Sequence, residues 1–457
     1  MSAPSARALL GLLLAASMHA ASVPAAAQPS DVLFGSADDP RETVRRVWWL
    51  SERRLDLRGG LSLIGAQWRA MGHATYGFST TDATGQLRAT LRAGYFGDYR
   101  PDADEWYDAL RVVQFIRLQP RSVPGFYARL GPLSRTRLGT GHLVDFLTTS
   151  AAWDERTVGV EVAQQGRLAS LYAFSDNVLL DGVVGARLAL QPLAFVDSPP
   201  LRGLTVGASL TTDLASHREG RRHLMAYNLD LQVEALRSGT FTMVPFFSYA
   251  WYERYGSGTF FGTEFASPNF VDLGRLSVRV GLSYSGLLFM PGYYGAFYSV
   301  HNPYRRILTA DSFLADPETP DLEGLTLNRI QGGYAFLSEF RLVFFERFEL
   351  WYAFRRHYGG QPLSEYHLRI FFRSPERLRF EVGLDRSGLT NFFSLFNDLG
   401  DQTLLVFDTE YQVFDRFWIH LSSLYTYERL EGNLPDGVQR FLVQRRFEPL
   451  AGVRFVF

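Results

Sequence analysis

From Leu55 to the end of the chain, apolar side chains recur at every second residue and polar or charged ones fill the positions between. The hairpin Ser364–Asp385 carries the pattern most clearly. Tyr366, Leu368, Ile370 and Phe372 fall on one face of its first strand, and Glu365, His367, Arg369 and Arg373 fall on the other. Past the turn Ser374-Pro375, Leu378, Phe380, Val382 and Leu384 alternate with Arg377, Arg379, Glu381 and Asp385. A strand turns successive side chains to opposite faces, so each strand has one apolar and one charged face. The same period runs through Leu55–Leu63, Leu204–Leu210, Met225–Glu234, Leu276–Tyr284 and Phe348–Arg355.

So many apolar faces need a solvent. Helical segments are too few to cover them, and no later run of about 18 apolar residues makes a transmembrane helix. Lipid is the economical solvent, and a sheet in lipid must close, because an open edge leaves backbone N–H and C=O groups unpaired in hydrocarbon. The expected fold is all-β: a transmembrane antiparallel up-and-down barrel of about 18 strands, within roughly 16–20, with a charged lumen.

Connections alternate in length. Gln164–Arg167, Arg237–Thr240, Glu346-Arg347, Ser374-Pro375 and Phe414-Asp415 read as tight turns. Asp98–Asp108, Gly139–Asp154, Gly256–Gly274, His301–Glu323, Gly388–Asp401 and Glu431–Gln444 read as long loops. Short periplasmic turns opposite long extracellular loops suit an outer-membrane barrel. Gly65–Thr81 reads as one strand or a tight hairpin. In Arg129–His142 the glycines read as shaping a strand end and loop rather than a ligand site.

The N-terminal region has a different pattern. Arg7 precedes an apolar run, Ala8–Ala21, and Ala25-Ala26-Ala27 offers a cleavage point before Gln28. This is the pattern of a secretory signal peptide over 1–27. Residues 28–53 read as a periplasmic lead-in with a short amphipathic helix near Asp38–Trp48, and 54–457 as the barrel. A helix plugging the lumen is the alternative role for that lead-in.

Composition narrows the chemistry. The 457 residues hold 46 basic and 47 acidic side chains, no cysteine and a formal charge of −1. No basic excess points to nucleic acid, and thiolate metal sites and disulfides are absent. Every basic residue is arginine. Its charge is fixed and its planar fork suits carboxylates in a confined lumen.

The charged face in the C-terminal third supplies the candidate lumen residues: Arg341, Arg347, Glu349, Arg355, Arg369, Arg377, Arg379, Glu381, Asp408 and Glu410. Two roles compete for them. They form a selectivity ladder that sets a field across a pore, or a self-neutralising network that fills the lumen. The apolar loop segments Phe260-Phe261 and Phe392-Phe393 with Phe396 read as a constriction folded into the barrel mouth, or as a receiver of lipophilic solute in the manner of long-chain fatty-acid transporters. Trp251, Tyr252, Tyr293, Tyr294, Phe297, Tyr298, Tyr425 and Tyr427 read as interface girdle. The acidic segment Asp311–Glu323 lacks calcium-loop spacing and reads as a solvated loop or a divalent-ion contact with a lipopolysaccharide surface.

His420-Leu421-Ser422 resembles the His-x-Ser of outer-membrane phospholipase A, where imidazole takes the serine proton. The Asn-Gly that continues the motif there is Ser423-Leu424 here, and the pair falls on the lumen face rather than beside lipid.

The terminal segment Pro449–Phe457 ends on an aromatic residue, with Val453 and Phe455 on one face. This resembles the C-terminal signature of bacterial outer-membrane β-barrel proteins, a porin-like class. The resemblance implies a Gram-negative outer membrane, Phe455 and Phe457 as an assembly signal read by the barrel-assembly machinery, and lipid and lipopolysaccharide as surroundings. It names no substrate. The function expected is a channel or porin-like transporter of small hydrophilic or amphiphilic solutes. The alternatives are a non-transporting barrel for envelope assembly or surface-polymer binding, as in capsule-attachment barrels, and more remotely a lipid-interface hydrolase. No catalytic role, cofactor or metal is expected, and no nucleic-acid partner.

Overall fold

A computed structural model of the chain describes residues 53–64, 67–94, 106–151, 156–214, 224–238, 240–253, 255–271, 273–301, 305–308, 331–345, 347–358, 364–374, 377–389, 403–425, 428–429, 439–442 and 450–456. The signal peptide, the lead-in helix, the acidic segment Asp311–Glu323, and Phe392, Phe393, Phe396, Tyr427 and Phe457 lie outside the described residues.

Twenty strands follow one another around a ring. They are β1 (Arg54–Ile64), β2 (Gln67–Ser79), β3 (Ala83–Gly94), β4 (Val113–Leu118), β5 (Phe126–Gly131), β6 (Gly159–Gln165) and β7 (Ala169–Ser175). Next come β8 (Val183–Leu190), β9 (Thr205–Asp213), β10 (Met225–Gln232), β11 (Phe241–Tyr252), β12 (Ser257–Phe270) and β13 (Gly274–Ser285). The ring continues through β14 (Gly333–Phe344), β15 (Phe348–Tyr358), β16 (Ser364–Arg373), β17 (Leu378–Leu389), β18 (Thr403–Phe414), β19 (Phe417–Tyr425) and β20 (Leu450–Val456). Each strand pairs antiparallel with the next, and β20 returns to β1 with Val456 opposite Arg54. Leu236–Ser238 continues β10 along β11 after a break. Closure gives every strand a partner on both sides, which is what a sheet in lipid requires.

Alternation places the faces as the sequence implies. Leu229, Phe261 and Leu282 stand outward and exposed, while Asn228, Asp230, Arg279 and Glu339 are buried inside. A slip of one residue would reverse every strand, so the apolar exterior fixes register. Connections also alternate. The rim joining β2–β3, β6–β7, β12–β13, β14–β15 and β18–β19 has turns of two or three residues. The other rim carries the connections after β3, β5, β13, β17 and β19, which are far longer.

Two expectations are corrected. Gly256–Gly274 is not a loop but β12 and a short connection. Phe260 and Phe261 broke the apparent alternation because each finds an apolar home. Phe260 packs in the lumen against Phe246, with ring centroids 5.1 Å apart, and Phe261 faces outward. Neither is a mouth-loop residue. The girdle is also different. Tyr227 stacks on Trp251 (5.2 Å), and Tyr284 lies tilted against Tyr334 (5.3 Å), on the outer face. Tyr252, Tyr293, Tyr294, Phe297 and Tyr298 are instead buried inside the barrel. The segment that follows β13 turns into the lumen, so its aromatic composition serves packing within the protein rather than the lipid boundary.

Candidate functional site

The connection between β5 and β6 folds inward. Leu133, Leu138, Leu143, Val144, Phe146 and Leu147 lose almost all contact with solvent. The loop pairs with itself: Thr136 and Leu147 exchange N–H···O bonds of 3.0 Å, and Leu138 N–H donates to Val144 O at 3.1 Å. It then docks on the second inward segment. Gly292 N–H donates to His142 O (2.8 Å), Tyr294 N–H to Leu143 O (3.2 Å) and Asp145 N–H to Tyr294 O (3.2 Å). Backbone groups withdrawn from water must find such partners.

Side chains fasten the loop to the wall. Arg137 bridges Asp145 of its own loop (2.5 Å) and Glu339 of β14 (2.7 Å). Arg355 of β15 also grips Asp145. Arg279 of β13 donates to the Thr140 carbonyl. Thr136 donates to Glu161 of β6 at 2.8 Å, and Tyr172 of β7 donates to the same carboxylate at 2.7 Å. Trp351 of β15 donates to Glu339 at 2.8 Å, and the Arg135 guanidinium lies 4.3 Å from the Trp351 ring centroid. Gly139 has φ +59°, and a Cβ there would stand 2.6 Å from Arg187 Nε, so this approach requires glycine. The glycines of Arg129–His142 thus shape the loop's path along the wall.

Burial changes the loop's titrating groups. His142 lies against Ser248 (Nδ1···Oγ 3.1 Å) and between Phe260 and Phe289. Burial, reinforced by the charge of Arg355, lowers its pKa to about 3, so it docks neutral. Burial alone would depress Arg137, but Asp145 and Glu339 hold it above the ordinary arginine value. Burial and neighbouring Asp213, 2.6 Å away, push the Tyr298 hydroxyl up.

The ladder candidates divide by position. Arg341 pairs with Glu349 at 2.9 Å, and Arg369 with Asp385 at 2.7 Å. Arg355 holds the loop. Arg379 sits 3.9 Å from the Trp418 ring centroid and 3.5 Å from Glu410, and Glu381 is buried. Asp408 meets His420 Nε2 at 2.5 Å. Arg347 and Arg377 lie exposed in the connections after β14 and β16, outside the lumen. Both follow the charge pattern past the strand end, where alternation no longer assigns a face.

Sequence reasoning missed the barrel's seam. Arg454 of β20 reaches Asp56 of β1 (2.5 Å) and Glu410 of β18 (2.5 Å), joining the first strand, the last strand and the strand beyond β19. Asp56 was visible as an inward position of β1, but nothing local pairs it with a residue at the other end of the chain. Asp408, Glu410 and His420 offer ligand atoms within 4.8 Å of one another. Arg454 and Arg379 already engage Glu410, and Arg58 lies 3.9 Å from Asp408. Three guanidinium groups at the carboxylates make this a poor place for a cation. His420 faces this cluster, with Ser422 on the same inward face opposite Asp408, so the pair is remote from lipid. Phe455 faces outward with its ring 5.4 Å from Phe417.

No family model matches the chain, and no curated protein does. Among solved structures, CdiB from Acinetobacter baumannii is similar at 9% identity and TM-score 0.27; 89% of this chain is covered, and it spans 60% of that one. OccK10 (OpdN) from Pseudomonas aeruginosa aligns at 11% identity and TM-score 0.34, covering 89% of this chain and 99% of its own. Wzi from Escherichia coli, described as a carbohydrate-binding β-barrel involved in group 1 capsule assembly, aligns at 10% identity and TM-score 0.33, covering 94% and 90%. The ring closure, the apolar exterior and the charged interior of the chain itself are those of a transmembrane β-barrel.

Proposed function

We propose that the barrel is a gated, porin-like channel for small hydrophilic or amphiphilic solutes, and that the inward loop 132–151 is its gate. One observation carries this reading: the loop is fastened by arginine–carboxylate pairs to separate wall strands. Buried ion pairs are poor filler. Apolar residues of similar volume often stabilise a packed interior equally well or better. A lumen that opens to water needs polar walls and a polar gate, and charged groups released into water regain hydration. The alternative, a surface-polymer-binding barrel with a permanently packed lumen, draws support from the near-complete burial of Asp56, Glu161 and Arg454. Neither reading gives the chain a catalytic task.

Planar-bilayer recording separates them. The native protein should show small or intermittent conductance, and a variant with residues 134–148 replaced by a short Gly-Ser linker should show a steady, several-fold larger one. Correctly folded, heat-modifiable protein that carries no current in either form would reject the channel.

A further inference from the structure

We infer that the barrel wall parts sideways between β4 and β6, and that an amphiphile with a polar head and a hydrocarbon tail passes there between lumen and membrane. This rests on the channel reading above and deepens it by naming a solute class and its route. A strand that crosses a membrane takes about 9–11 residues. The strands from β11 to β15 have 11–14 residues, whereas β4 and β5 have six each. The ladder between β4 and β5 covers only Ile116–Leu118 against Ala128–Leu130. Beyond Leu130 the chain leaves the wall for the lumen. Gly131 makes that departure with φ +142°, and a Cβ there would stand 2.5 Å from Gln114 O, so the position requires glycine.

Past this point a strap closes the wall: residues 106–112, which contain the single helical turn Asp108–Arg111 and lead into β4. Side chains sew it across to β6. The Tyr107 hydroxyl donates to Asn177 Oδ1 (2.9 Å) and accepts from Val158 N–H (2.9 Å). Arg111 Nε donates to Arg156 O (3.3 Å), and Arg156 donates back to Arg111 O. Parting a ladder in hydrocarbon orphans a whole row of backbone groups. Parting the strap exchanges a few side-chain bonds, whose polar ends can turn to lumen water. The wall therefore separates at least cost here.

The strap is also tied to the gate. Thr157 lies between Arg156 and Val158, the two residues that hold the strap. Thr149 Oγ1 of the inward loop donates to Thr157 O (2.9 Å), and Thr157 N–H donates to Thr149 O (3.3 Å). Leu133 N–H donates to the same Thr149 hydroxyl (2.9 Å). Undocking the loop thus removes the support behind the strap. The chemistry on either side suits an amphiphile. Leu91, Trp106, Val178 and Leu179 are exposed apolar side chains beside the strap, against which a hydrocarbon tail can lie. Tyr107, Asp108, Arg111 and Asn177 keep hydrogen-bonding groups beside the path, so a polar head need not cross it unpartnered.

The test uses proteoliposomes of the full chain carrying a fluorescent lysophosphatidylcholine in both leaflets. Albumin added outside is too large to enter the barrel and extracts only label that reaches the outer face. Native protein should release more label than the outer-leaflet share that protein-free vesicles give up. Tyr107→Phe should speed this release about fivefold, the factor that one hydrogen bond carries. The chain has no cysteine, so Tyr107→Cys with Asn177→Cys, joined by a short bifunctional thiosulfonate, locks the strap. Cross-linking should stop the release, reduction should restore it, and potassium chloride conductance in planar bilayers should not change between the two. Native release no greater than the protein-free share, or release indifferent to the cross-link, overturns this inference and leaves the channel standing. Loss of salt current together with release under the cross-link also overturns it, because the strap would then line the main pore. Absence of current from inserted native protein overturns both.

Discussion

The two sides of the lumen solve opposite problems with the same residue. On the wall from β14 to β19, arginine sits beside acid: Arg341 with Glu349, Arg369 with Asp385, Arg379 with Glu410. On the wall from β1 to β5, arginine faces arginine, threonine and methionine across strands. The first wall is close to electrically closed and also holds the gate through Glu339 and Arg355. On the second, the acids that arginine meets come partly from other strands: Arg58 lies 3.9 Å from Asp408 of β18, and Arg129 lies 3.7 Å from Glu161 of β6. Sequence alternation identifies both as inward faces but cannot say which charges meet. Pairing depends on neighbours across strands, and matched signs there turn a row of ions into structure while unmatched signs leave a field.

The largest expected effect breaks the gate on the balanced side. Asp145→Ala removes the carboxylate shared by Arg137 and Arg355. It leaves buried guanidinium charge with fewer partners and should cost roughly 3–5 kcal/mol of loop docking. Bilayer conductance should rise to that of the loop-replaced variant, while urea unfolding of the barrel changes much less. A closed channel in this variant would mean the ion pairs do not hold the loop.

Acid should act in the same direction. Docked His142 has a pKa of about 3 and, once released into water, returns toward the ordinary value near 6.5. Between those values the released loop binds a proton that the docked loop excludes, so docking weakens as pH falls through the window. By pH 4 the loss is roughly 3 kcal/mol. The groups around the ring are Ser248, Phe260, Phe289 and the charge of Arg355, and none accepts a proton from an imidazolium as a carboxylate would. Open probability should therefore increase from pH 7 to pH 4 in the native protein and respond less in His142→Phe. Equal pH responses would place the sensing group elsewhere.

The barrel was legible because period-two alternation is local. Hairpins such as Ser364–Asp385 declare their faces within a dozen residues, and the registers keep those faces. The site was legible only in part. Arg341, Glu349, Arg369 and Glu410 could be placed inward from their own strands. The seam could not, because Arg454 meets Asp56 from opposite ends of the chain. The inward loop was least visible. Arg137 and Asp145 occupy irregular backbone with no period to read, and the aromatic run Tyr293–Tyr298 has the composition of a lipid boundary although its surroundings are protein. Lumen-filling loops and rim loops draw on the same residues, and only topology distinguishes them.

The smallest effect is the sharpest test of the contrast between walls. Glu349→Gln on the balanced side removes the acid that Arg341 contacts at 2.9 Å, from a carboxylate that is itself buried. It should lower stability to urea by about 1–3 kcal/mol. Arg117→Gln on the basic side should do little or the reverse. It removes a buried guanidinium and its packing over the Tyr127 ring, whose centroid is 5.6 Å away, which costs stability. It also ends the repulsion with Arg129 and keeps an amide donor toward the lumen, which returns some. The two contributions are each of about 0.5–1 kcal/mol and opposite in sign, so the net change should be within about 1 kcal/mol of zero. Side-by-side urea unfolding of the two variants in the same detergent measures the difference. If Arg117→Gln destabilises as much as Glu349→Gln, the β1–β5 arginines are structural in the way the β14–β19 ones are, and the difference between the two walls disappears.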